Sequence, residues 1–259
     1  MGYPKGLLKN RSVLEPGKYA VISPEGRVIN VIPGIRDCRM TILASPKLGA
    51  SFVQMIGTVS TTGETTMAYG AEEGVETLLF VLDGMGGLEV KSGDTTETLT
   101  AGGYIYSPPG AGIHFKSKGD GEVRILLYKQ RFTPHPDPEV KLPWTVTGNI
   151  HRINESNYDD MENVLVRDLL PTDESFDMNF HTLAFLPGGC HPFVETHVQE
   201  HGAYIYTGQG LYLLDETWIP VQAEDFIWFA PFCKQACYGT GLDRMEYIYS
   251  KDCNRDESL

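Results

Sequence analysis

Gly189-Cys-His-Pro-Phe-Val-Glu-Thr-His-Val-Gln-Glu-His-Gly-Ala-Tyr-Ile-Tyr-Thr-Gly208 sets Glu195, His197 and His201 between two glycines, inside an alternating apolar/polar pattern. Residues two apart in an extended chain face the same side, so Glu195 and His197 can converge. A turn at Glu200-His201-Gly202 can bring His201 round to the same point. A carboxylate and two imidazoles without a thiolate suit a divalent metal with oxygen and nitrogen preferences. The end of this stretch, Glu200 to Gly208, also has a twin 124 residues earlier, in Glu76-Thr-Leu-Leu-Phe-Val-Leu-Asp-Gly84.

Working outward, the twin extends through both halves of the chain. Ser51-Phe52 recurs as Ser175-Phe176, and Thr58-Val59 as Thr182-Leu183. After a loop two residues shorter, Gly103-Tyr-Ile-Tyr-Ser-Pro-Pro109 matches Asp225-Phe-Ile-Trp-Phe-Ala-Pro231, and Leu127-Tyr-Lys129 matches Tyr249-Ser-Lys251. From Met40 onward, β-type segments recur at short intervals, separated by turn signals such as Gly86-Gly87, Ser92-Gly93-Asp94 and Pro108-Pro109-Gly110. That rhythm reads as an all-β sandwich or barrel. Thr133-Pro-His-Pro-Asp-Pro138 interrupts it with a semi-rigid connector. A short strand is expected at Val28–Ile32 and a helical turn near Asp159–Met161. The chain therefore divides into residues 1–140, an N-terminal β domain with an irregular arm, and residues 141–259, a C-terminal β domain. In the duplication Glu195 aligns with Ala71, His197 with Glu73, His201 with Thr77 and Gln235 with Ile113; only Glu73 is a possible ligand, so the set of metal-type residues is found in the second half.

Composition excludes several classes. A formal charge of −13 repels phosphate backbones and anionic lipid, so neither nucleic acid nor a membrane is an expected partner. No apolar run reaches the ~18 residues of a membrane span, and Met1–Gly6 shows neither a leader nor an acylation signal. Five cysteines, odd in number and without a scaffold spacing, read as reduced thiols in a cytoplasmic protein.

Gly189-x5-Glu195-x-His197-x3-His201-x6-Gly208 is similar to the first cupin motif, G-x5-H-x-H-x3-E-x6-G, with Glu and His exchanged between its ends. The second motif is weaker: Pro231 is kept, Asp225 replaces a Gly, and Gln235 falls one place short of the expected His. The exchanged order, the duplication and the C-terminal Tyr249-Ser-Lys-Asp-Cys-Asn-Arg-Asp256 together resemble the (S)-ureidoglycine aminohydrolase family over nearly the whole chain. The resemblance implies two tandem cupin (double-stranded β-helix, jelly-roll) barrels. It implies one Mn²⁺ in the second, held by Glu195, His197, His201 and Gln235. It places substrate contacts on Glu195, Gln235, Tyr247 and Lys251, and implies a homo-oligomer. The implied reaction replaces the α-amino group of (S)-ureidoglycine, a small anionic substrate of purine (allantoin) catabolism, with hydroxyl, releasing ammonia. Lys251 would pair with the substrate carboxylate or move a proton, Tyr247 would donate a hydrogen bond, and Glu195 would accept a proton. Tyr247, Tyr249 and Lys251 are each two apart, so one strand presents all three on one face.

Other readings stand beside these. A different cupin enzyme, an isomerase or dioxygenase of a small oxo-acid, would use the same scaffold. A non-catalytic bicupin would have no need of an inward lysine. Without the resemblance, Gln235 between Cys233 and Cys237 reads as a backbone hydrogen-bonder, and the two cysteines read as buried thiols. Tyr206 and Tyr212 read as half-buried strand aromatics, with Tyr212 near enough in pattern to line a pocket, His114 as a structural histidine, and His191 as a pocket-rim residue. Trp144, Trp218 and Trp228 read as core or interface anchors.

Overall fold

The computed structural model describes residues 11–257; Met1–Gly6 and the readings made on them lie outside that range. The first half contributes β1 (Val13–Glu15), β2 (Tyr19–Ile22), β3 (Ile35–Ala44), β4 (Phe52–Thr65), β5 (Val75–Gly84), β6 (Leu88–Ser92), β7 (Thr95–Leu99), β8 (Gly103–Ser107), β9 (His114–Ser117) and β10 (Val123–Arg131). The second contributes β11 (Val146–Asn149), β12 (Ser156–Tyr158), β13 (Met161–Asp168), β14 (Met178–Phe185), β15 (His201–Thr207), β16 (Gln209–Leu214), β17 (Thr217–Gln222), β18 (Phe226–Phe229), β19 (Gln235–Thr240) and β20 (Met245–Asp252).

The chain is all-β. A nine-stranded antiparallel sheet runs β11-β8-β5-β10-β4-β9-β6-β7, with β3 also on β4. It curls into a nearly closed barrel of cupin type because β4, 14 residues long, pairs with β3 and β10 along most of its length and reaches β9 at Glu64↔Lys116. Second-half strands and the β1-β2 hairpin of the first half form an eight-stranded sheet, β1-β2-β18-β15-β20-β14-β13-β12, beside a separate three-stranded sheet, β17-β16-β19.

Side-chain alternation explains the layering. Leu79 and Val81 of β5 point into the first half's own core with Ile105, Ile125 and Leu127. Leu78, Phe80 and Leu82 of the same strand point the other way, into a core shared with Phe176, Phe180, Tyr204, Phe226 and Trp228 of the second half. The second half repeats the arrangement: Ala203, Ile205, Ile227, Phe229, Tyr247 and Tyr249 fill its own interior. Strands buried on both faces read as continuous apolar runs, hence Thr-Leu-Leu-Phe-Val-Leu at 77–82.

Each half also lends a strand to the other. β2 pairs with β18 through Tyr19↔Phe229, and β11 pairs with β8 through Val146↔Tyr106. The edges of two matching strands are thereby covered.

Some local expectations give way. Val28–Ile32 forms only the single bridge Asn30↔Met40 instead of a strand. Asp159–Met161 is no helical turn. Asp159 and Asp160 adopt φ of 48° and 60°, the left-handed pair that closes a tight hairpin between β12 and β13.

Two buried carboxyls meet at the seam between the halves. Glu76 accepts from Tyr106 Oη at 2.5 Å and Gln130 Nε2 at 2.7 Å, and Asp177 accepts from the Thr133 N–H at 2.6 Å. Burial first, then the neighbouring Asp177, holds Glu76 well above its ordinary 4.5; burial likewise raises Asp177 above 3.8. Folded values above unfolded ones mean that this contribution is full below the unfolded pKa and is lost as pH rises through the folded one. We therefore expect part of the stability to decline from pH 4.5 upward, and Glu76→Gln to flatten that part. Urea midpoints against pH check it; parallel curves for the two proteins would refute the raised Glu76 pKa as the cause.

Candidate active site

The site lies where the second half departs from the first. β14 ends at Phe185, and Pro187 with Gly188 (φ 83°) turns the chain out of the sheet. The segment that follows returns to β19 through two isolated bridges, Cys190↔Tyr238 and Glu195↔Gln235, before β15 begins at His201. Glu195, His197, His201, Gln235, Tyr247 and Lys251 all line one cavity between the two sheets. The cavity is narrow, with about 20 Å³ open to a water-sized group.

His201 is almost wholly buried, and its Nδ1–H donates to the Ser250 carbonyl at 2.8 Å. His197 Nδ1–H donates to the Gln199 carbonyl at 3.1 Å. With both Nδ1 atoms committed, the two Nε2 lone pairs face each other at 3.3 Å. Burial lowers the pKa of both rings, and Lys251 adds to the effect, so neither lone pair is readily protonated. Two facing lone pairs repel unless a cation lies between them. Gln235 Nε2 stands 2.6 Å from His197 Nε2, and Gln235 Oε1 accepts from the Tyr212 hydroxyl at 3.2 Å.

Of the four expected donors, then, His197, His201 and Gln235 meet. Glu195 lines the same cavity, with Oε1 4.0 Å from His191 Nδ1, and its carboxyl pKa is raised by burial against the opposing effect of Lys251. Among the described residues, no three His, Cys, Asp or Glu side chains gather round one point.

Contacts between the halves position His201. Its neighbour Glu200 accepts from the Ser51 N–H at 3.1 Å and hydroxyl at 2.5 Å, and from Trp228 Nε1 at 2.5 Å. Phe229 and Tyr249 meet the His201 ring edge-on, at 4.9 and 5.2 Å.

The bridges also correct the duplicate alignment. Tyr69↔Ile113 in the first half stands where Glu195↔Gln235 stands in the second, so Tyr69, not Ala71, is Glu195's structural counterpart. The Tyr69 ring is buried in the apolar core of the first half beside Ile113. Lys129, the twin of Lys251, is paired there with Glu72 at 2.5 Å.

Several cavity residues escape the sequence pattern. Tyr158, Leu183 and Phe229 line it from three separate strands, and their spacing carries no signal. Tyr212 does line the cavity, as its place in the pattern allowed, but it is fully rather than half buried, and its hydroxyl holds Gln235. His191 is not at the rim. It is 3% exposed, its pKa is pulled down to about 4 by burial, and neither ring nitrogen has a hydrogen-bond partner. Such unmatched buried groups cost about 1–3 kcal/mol each.

The remaining histidine, cysteine and tryptophan readings resolve individually. His114 is exposed, with Nδ1 3.3 Å from Thr65 Oγ1. Cys237 is fully buried, Cys233 only partly, and all five thiols are free. Trp228 is core, whereas Trp144 and Trp218 are exposed and pack on Phe176 and Tyr238.

An antiparallel barrel fold with imidazole, amide and carboxylate donors around one cavity defines a protein of the cupin class. No protein-family model matches the chain. Over 259 residues, all of this chain and 97% of the other, it is 44% identical to the (S)-ureidoglycine aminohydrolase of Escherichia coli (strain K12). It is 32% identical over 247 residues to a probable (S)-ureidoglycine aminohydrolase of Oryza sativa subsp. japonica, covering 92% of this chain and 74% of that one. The crystal structure of protein Ylba from E. coli superposes on it with a TM-score of 0.88 and 43% identity, both chains covered completely. The chain belongs to the (S)-ureidoglycine aminohydrolase family.

Tyr212→Phe removes the hydroxyl that restrains Gln235 and leaves a buried carbonyl oxygen without its donor. We expect a loss of about 1 kcal/mol, read as a lower urea midpoint at unchanged slope. An unchanged midpoint would show that this bond contributes nothing.

Proposed function

We propose that the chain hydrolyses (S)-ureidoglycine to (S)-ureidoglycolate and ammonia, in the breakdown of purines through allantoin. The observation that carries this reading is the single cavity that gathers the imidazole pair, Gln235, Glu195, Tyr247 and Lys251 in a member of this family. Two tandem cupin units, residues 1–140 and 141–259, interlocked by exchanged strands, fit the sheet order, with the second unit carrying the site.

The residues present fit a divalent cation. Facing Nε2 lone pairs ask for positive charge between them, and two imidazoles, a carboxylate and an amide oxygen suit Mn²⁺. Glu195, His197, His201 and Gln235 would hold one ion per chain, Gln235 by turning its amide oxygen towards the imidazoles. When bound, the ion supplies a fixed positive charge that orients the substrate's carboxylate and neighbouring heteroatom.

The chain's own groups do the rest. Lys251 Nζ pairs with the substrate carboxylate, and Tyr247, buried on the same strand face, donates from its hydroxyl. Water attacks the α-carbon as its bond to the amine nitrogen breaks; a Glu195 carboxylate oxygen takes a proton from that water and passes it to the departing nitrogen, which leaves as ammonia. The place of Lys251 on the cavity wall, rather than in solvent, supports this reading over a binding protein without turnover. Five free thiols support a cytoplasmic setting, and no helix of the described residues is long and apolar enough to cross a membrane. The exposed face formed by Leu211, Trp218 and Tyr238 supports association into a homo-oligomer.

Freshly generated (S)-ureidoglycine should release ammonia with the protein, less after chelation, and again on adding Mn²⁺. No ammonia from Mn²⁺-replete protein would sink the reading. Lys251→Met should lower turnover by about 100-fold or more while metal content stays intact; an active variant would remove Lys251 from the mechanism.

A further inference from the structure

His191 takes no part in the reaction as assigned above, yet it is built into the cavity wall. Its backbone is tied down: the N–H donates to the Cys237 carbonyl at 2.9 Å, two residues beyond Gln235 on β19. The ring stands against Phe185 (centroids 5.1 Å apart, edge-on), Phe193 (6.3 Å, nearly parallel) and Tyr158 (5.9 Å). None of these offers its nitrogens a partner, and both remain buried and unmatched. Glu195 Oε1, 4.0 Å from Nδ1, is beyond hydrogen-bond reach. A histidine kept for packing could be phenylalanine without stranding polar atoms, and one kept for structure would bond something. A ring that does neither, beside a substrate cavity, is matched to a ligand.

We infer that His191 binds the ureido end of the substrate, the planar, uncharged end that carries N–H donors and a carbonyl acceptor. The inference rests on the reaction assigned above. A neutral imidazole offers one donor and one acceptor, which that group can use and the aromatic walls cannot. The carboxylate end is served by Lys251, and a second carboxylate brought beside Glu195 would be repelled. His191 therefore acts as a binding and specificity residue, selecting a substrate that bears a urea over other small α-substituted acids.

Two probes separate the ends: N-carbamoylglycine, which has the ureido and carboxylate groups, and glycolate, which has no ureido group. Both are titrated calorimetrically against the full-length, Mn²⁺-loaded protein. His191→Phe should weaken N-carbamoylglycine by about tenfold or more and leave glycolate within about twofold. It should raise KM for ureidoglycine by a similar factor with little change in kcat. Its melting temperature should be unchanged or higher, since two unmatched buried atoms are gone. His191→Asn, which restores a donor and an acceptor, should recover part of the N-carbamoylglycine affinity. Undiminished N-carbamoylglycine binding by His191→Phe would overturn the inference. So would an equal loss for both probes with a lower melting temperature, or an Asn variant no better than Phe. Absence of ammonia release by the wild-type protein would instead refute the reaction, while the titrations still decide the role of His191.

Discussion

Strands β5, β10, β15, β18 and β20 each bury both faces, and the remainder of the molecule follows from where those faces go. One face of each enters its own half; the other enters the core between the halves, where Phe80, Tyr128, Phe180, Tyr204 and Trp228 meet. A half on its own would leave that aromatic surface in water. At roughly 25 cal/mol per Å² of apolar surface removed from solvent, the shared core ties the folding of each half to the presence of the other. The exchanged strands β2 and β11 reinforce the tie by covering backbone edges that the shared core does not reach.

That arrangement carries through to the site. Glu200 is a ligand of nothing in the cavity, but Ser51 from the other half and Trp228 from the shared core hold its carboxylate. His201 follows it directly, and its ring is aimed by the Ser250 carbonyl and by Phe229 and Tyr249. The interface between the halves thus helps to set the direction of an imidazole that faces away from it. Glu76, the twin of Glu200, has kept a comparable set of partners in Tyr106 and Gln130, although no reactive residue follows it. The duplicated scaffold is kept in both halves, and the facing imidazoles occur in the second.

The first half shows what a cupin interior becomes without a site. Tyr69 and Ile113 occupy the bridge positions of Glu195 and Gln235 and join an apolar core. Lys129 keeps the place of Lys251 but pairs with Glu72 rather than facing a cavity. In the second half the chain leaves the sheet at Pro187 and touches β19 at only two points, so a gap lined by polar groups persists between the sheets. Long β4 closes the same gap in the first half.

The amino-acid sequence by itself determined the all-β class, the duplication and the half that holds the imidazole pair. Those depend on period-two alternation and on motif spacing, which are local properties of the chain. It also singled out Glu195, His197, His201, Gln235, Tyr247 and Lys251 as candidates, partly through alternation and partly through likeness to a family, and the fold brings all six to one cavity. Tertiary structure decided the rest. Tyr158, Leu183 and Phe229 join the cavity from strands remote in sequence, and no spacing rule links them. The true counterpart of Glu195 is set by a bridge across two sheets, which a gapless offset misplaces by two residues. The Asp159-Asp160 hairpin turns on two left-handed backbone angles that composition does not announce. His191 looked peripheral in sequence because burial and hydrogen bonding are properties of packing; only the folded chain shows an imidazole enclosed by aromatic rings with nothing of its own to bond.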